Sequence, residues 1–110
     1  RKHKLPNSIC FHCQQCIEKY LKAFLVYHKI NPPRTHDLRK LNDLAVSFQP
    51  SLNSINDFLE QLTSYSVEFR YPGESATQVE AKQVVILMKK TRNILIETFQ
   101  NIKQLKLKFT

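Results

Sequence analysis

The chain has 110 residues, of which 42% are hydrophobic and a single one is glycine. That length supports one domain with one core over residues 1–110, and the lack of glycine excludes glycine-rich phosphate loops and folds that need many positive-φ turns. Seventeen Lys and Arg against nine Asp and Glu give a net charge of +8, which favours a phosphate-bearing partner such as nucleotide or RNA.

The charge is uneven. Residues 1–7 and 104–110 are basic ends without a carboxylate. No apolar run is long enough to span a bilayer and no signal peptide is visible, so no membrane partner is expected. Three cysteines, an odd number within seven residues, suit a reducing cytoplasm better than a disulfide framework.

The first predicted element is a helix that starts at Pro6-Asn7-Ser8, where either polar side chain can cap, and runs to about Ile30. Within it, Cys13, Cys16, Ile17, Tyr20, Leu21, Phe24 and Leu25 form an apolar face wide enough for the centre of a small bundle. Asn31-Pro32-Pro33 stops it. Thr35 is placed to cap a second helix beginning at His36, whose stripe is Leu38, Leu41, Leu44, Ala45 and Phe48, ending at Gln49-Pro50. A third helix carries Ile55, Phe58, Leu59 and Leu62.

Val67, Phe69 and Tyr71 then alternate with polar residues, so an extended segment is expected before the turn at Pro72-Gly73. Ser75 with Gln78 reads as a capping box for a long last helix running past Ile102. Its stretch Val84-Val85-Ile86-Leu87 is apolar nearly all round, as for a helix buried between others or in a dimer. The expected fold is therefore all-α: an up-and-down four-helix bundle with a long C-terminal helix and an extended Arg-Tyr-Pro loop before it.

Few constellations carry chemistry. On a helix, Cys10 and Cys16 lie about 9 Å apart along the axis, so the three thiols cannot share one ion without unwinding it, and no metal or other cofactor is expected. Cys13 and Cys16 face the core, away from any base. Arg70, between aromatics, suits phosphate or carboxylate; a salt bridge from it to Glu18 or Glu74 is the plainer alternative.

Gln14, Gln15, Glu18, Lys19, Leu21, Lys22 and Ala23, then Thr35-His36-Asp37-Leu38, then Arg70-Tyr71-Pro72 before a long helix, together resemble the HEPN domain family (higher eukaryotes and prokaryotes nucleotide-binding). The resemblance covers about residues 8–102. It implies a helical bundle, usually a dimer, often encoded beside a minimal nucleotidyltransferase in toxin–antitoxin pairs. Many HEPN domains are metal-independent ribonucleases with an Arg-x4–6-His motif in the last helix. Here the matching arginine is Arg92, and Glu97, Thr98 and Phe99 stand where the histidine is required. Such domains also carry a helix ahead of the conserved one, so a chain without it is expected to expose apolar surface and oligomerise.

The leading expectation is a non-catalytic, nucleotide- or RNA-binding assembly module, partnered with a nucleotidyltransferase or its own copy. Lys22, Thr35, His36, Arg70, Tyr71 and Arg92 are the candidate phosphate-binding residues. The alternative is a ribonuclease toxin using Arg92 for transition-state charge and His36 as general acid–base. A purely structural dimer is the third reading.

Overall fold

The computed structural model describes residues 4–65 and 76–109, with side chains over 5–65 and 76–103. The described residues form four α-helices, α1 (Lys4–Tyr27), α2 (Leu38–Val46), α3 (Asn56–Ser64) and α4 (Gln78–Phe109), with a 3₁₀ turn over Pro50–Ile55. No strand occurs among the described residues, so the all-α class is as expected. Arg70, Tyr71 and the rest of the loop before α4 lie outside the described residues.

The cysteine-bearing stretch is continuous helix. α1 starts earlier than the sequence suggests, at Lys4, with Pro6 in its first turn. Proline is tolerated there because first-turn N–H groups have no intrahelical acceptor. Asn7 is thereby released from capping. Its Oδ1 instead accepts from the Ala76 N–H at 2.7 Å and ties the approach to α4 onto α1.

α1 ends before the prolines are reached. Lys29 adopts φ 62, and the Ile30 and Lys29 N–H groups donate to Leu25 O and Val26 O, both at 2.9 Å. That is a Schellman cap with lysine where glycine is usual, and Ile30 packs on the core beyond it.

α2 also starts later than Thr35 predicted. Asp37 is the cap, its carboxylate accepting from the Arg39 and Lys40 N–H groups, while the Thr35 hydroxyl accepts from the Asp37 N–H. His36 therefore belongs to the connection and not to a helical turn. Leu38, Leu41 and Ala45 are buried as expected, but Leu44 and Phe48 stay partly exposed. At the head of α4 the capping box is Thr77 with Glu80, each backbone N–H donating to the other's side chain at 3.0 Å, while Ser75 of the expected Ser75–Gln78 box lies outside the described residues.

The core runs the length of α1. Ile17, Leu21 and Leu25 meet Leu38 and Leu41 of α2, Leu59 and Leu62 of α3, and Val84 and Leu95 of α4. The helix directions are less regular than an up-and-down order implies. Asn7 is tied beside the start of α4 and Phe24 stacks on Phe99 near its end, so α1 and α4 run parallel. The segment after α1 doubles back along it, which brings His36 beside Gln14 and starts α2 near the middle of α1. The 84–87 stretch is not buried all round either: Val84 and Leu87 enter the core, Val85 is half-buried and Ile86 is 57% exposed.

Candidate functional site

The α1–α2 corner is built on one carboxylate. Glu18 is only 4% exposed, and helical spacing places Gln14, Glu18 and Lys22 on the α2 side of α1. Lys22 Nζ donates to Glu18 Oε2 at 3.0 Å, His36 Nδ1 to Glu18 Oε1 at 2.9 Å, and Gln15 Nε2 to the same oxygen at 3.3 Å. A carboxylate only accepts, so His36 Nδ1 carries a proton. Buried Gln14 completes the corner by donating to the His36 carbonyl at 2.6 Å.

This explains the spacing of the sequence motif. Gln-Gln-x-x-Glu-x-x-x-Lys on α1 and Thr-His-Asp ahead of α2 are two halves of one latch. A buried carboxylate is costly unless compensated, and here one lysine, one imidazole and one amide compensate it. Lys22 remains partly open and the His36 side chain is 54% exposed, so both reach solvent while held in place.

Of the candidate residues, the structure joins Lys22 and His36 through Glu18, with Thr35 one residue away and half-buried. Arg92 is not part of the corner. It is half-buried on α4 and forms no hydrogen bond or ion pair with another described side chain. α4 packs on the other side of α1, through Tyr20 and Phe24 against Phe99. The juxtaposition of Arg92 with His36 is therefore absent within one chain. Glu18, the anchor of the corner, is missing from the sequence-derived site because a lone glutamate on a helix reads as a solvated charge; its place on the buried side of α1 was the available signal.

Cys10 and Cys13 are buried and Cys16 is half-buried. Burial, and then the neighbouring Cys10 and Cys16, push the Cys13 thiol up from 9.0 to about 11. A thiol held neutral in this way packs as a small apolar group. Among the described residues no three His, Cys, Asp or Glu side chains come together as a metal-binding group, and no described helix is long and apolar enough to cross a membrane.

Two grooves follow the seam between α1 and α4. One, of about 370 Å³, is lined by Phe24, Tyr27, Phe99 and Lys103. The other, of about 580 Å³, lies at the opposite end between Leu5, Ile9, Ala81 and Val85. Neither is evident in the sequence, since each needs two helices set side by side.

The fold and corner define a helical domain organised on a carboxylate-latched first helix. The HEPN domain family model matches residues 1–101, and the chain belongs to that family. Membership points to a nucleotide- or RNA-related role in general terms. Comparison with curated proteins and with solved structures gave no match.

Proposed function

We propose that this chain is a non-catalytic HEPN-type module that binds nucleotide or RNA through phosphate and assembles with a second protein. The observation that carries the reading is the α1–α2 corner. Lys22 and His36 stand half-exposed and are fixed by one buried carboxylate, in a chain of net charge +8. Donors held in place lose little entropy on meeting a phosphate. Arg70 and Tyr71, in the segment leading to α4, belong to the same proposal on the strength of the family resemblance. The absence of histidine at 97–99 after Arg92 supports a binding role over ribonuclease action. The test is a titration of the chain with labelled RNA and with ATP at low salt. Binding that weakens several-fold in Lys22→Ala and His36→Ala is expected, and no binding of either ligand refutes the reading.

The assembly partner proposed is a minimal nucleotidyltransferase or a second copy, supported by the resemblance; co-expression with the neighbouring reading frame tests it. One observation favours a ribonuclease as second reading. Glu18 orients His36 through Nδ1, and a histidine oriented by a carboxylate is an arrangement suited to general acid–base work. Arg92 would then have to arrive from another copy. RNA cleavage lost in both His36→Ala and Arg92→Ala would establish that reading, and intact RNA with the unaltered protein would remove it.

A further inference from the structure

We infer that the aliphatic groove between the first turns of α1 and α4 is a docking site for an amphipathic helix of a partner protein whose polar flanks are acidic. The groove holds about 580 Å³ between Leu5 and Ile9 on one side and Ala81, Val85 and Ile86 on the other. Of the groove's lining, Leu5 is 67% exposed and Ile86 57%, and Val79 nearby on α4 is also exposed, so apolar surface at this end of the molecule faces water. Scattered exposed leucines are ordinary, but a set gathered along one trough marks an interaction surface. Two parallel helices make a straight trough, and apolar residues of a third helix at i, i+3 or i+4, and i+7 fit between such ridges.

Charge decides the occupant. Among the described residues the one ionised side chain lining the groove is Lys82, and Lys89 continues the same stripe two turns along α4. Neither forms an ion pair with a described carboxylate. No Asp or Glu lies between Glu80 and Glu97 on α4, and Glu80 is engaged in the capping box. Glutamates flanking an apolar stripe would meet these lysines at the rim, where they steer association and fix register. A second copy fits less well: two chains of +8 would be brought together, and two-fold pairing of the groove would set Lys82 near its own equivalent. RNA fits less well too, because the described lining offers no ring on which a base can stack.

The experiment compares two synthetic helical peptides with an identical Leu/Ile stripe, one flanked by glutamates and the other by lysines, titrated by fluorescence anisotropy into the full chain. The glutamate peptide is expected to bind at least roughly tenfold tighter than the lysine peptide and to weaken with added salt. Ile86→Asp, an exposed position whose helicity is checked by circular dichroism, is expected to lose it. Lys82→Glu, which removes no apolar contact, is expected to abolish or reverse the preference. Equal binding of both peptides, no binding of the glutamate peptide, self-association abolished by Ile86→Asp, or RNA binding abolished by Ile86→Asp would each overturn the proposal. The RNA titration with Lys22→Ala and His36→Ala reads the α1–α2 corner separately.

Discussion

Among the described residues, Glu18 gathers three side-chain donors on one buried carboxylate. It fixes Lys22 on its own helix and His36 on the next segment, so removing its charge strands two donors at once. Glu18→Gln is expected to destabilise the protein by about 1–3 kcal/mol in urea unfolding, while His36→Gln, at a half-exposed position, costs less than about 1 kcal/mol. The pair also shows what sequence conveys at this scale. Gln14, Glu18, Lys22 and His36 were all legible as motif residues, but Glu18 and His36 are 18 positions apart and their contact depends on how the connection folds back. Cys13 supplies a pH test. Its thiol holds its proton to about 11 when folded, against 9.0 ordinarily. Between those values the unfolded chain has released that proton and the folded chain still binds it, so stability falls as pH rises. The contribution is intact below pH 9.0 and is lost through about 11. The loss is on the order of 2–3 kcal/mol, and Cys13→Ala should flatten that slope in thermal unfolding followed across the range.

At the scale of elements, sequence specified which helices exist better than where they begin. Asn7, Ser8, Thr35, Asp37, Ser75 and Thr77 are all competent caps, so propensity alone cannot choose among them. Tertiary ties make the choice: Gln14 pins the His36 carbonyl and leaves Asp37 to cap α2, while Asn7 holds Ala76 and leaves Thr77 to cap α4. Thr77→Ala is expected to cost about 1 kcal/mol and to raise hydrogen exchange in the first turn of α4. The end of α1 predicts a gain. Lys29 occupies the left-handed region, where a Cβ is unfavourable, so Lys29→Gly should stabilise the protein by about 0.5–1 kcal/mol by the same unfolding measurement.

Over the whole molecule, charge is partitioned between layers. α4 carries Lys82, Lys89, Lys90, Arg92, Lys103, Lys106 and Lys108 against Glu80 and Glu97, whereas the α2–α3 pair offsets Arg39 and Lys40 with Asp37, Asp43, Asp57 and Glu60. Part of that acidity is spent internally, since Arg39 bridges Asp43 and Glu60. RNA affinity is therefore expected to fall steeply with salt, with a log–log slope near −2 if about three phosphates are met, measured by anisotropy between low and physiological salt. The totals announce this excess but not that most of it falls on α4.

The parallel arrangement of α1 and α4 bears on how the chain reaches this state. Phe24 and Phe99, stacked at 5.3 Å, are about 75 positions apart, and α1 with α4 is the most extensive helix pairing in the molecule. Closing so long a loop carries an entropic penalty that short-range contacts among α1, α2 and α3 do not incur. Docking of α4 is therefore expected to come late in refolding, so substitutions at Phe99 should accelerate unfolding more than they slow refolding in stopped-flow measurements.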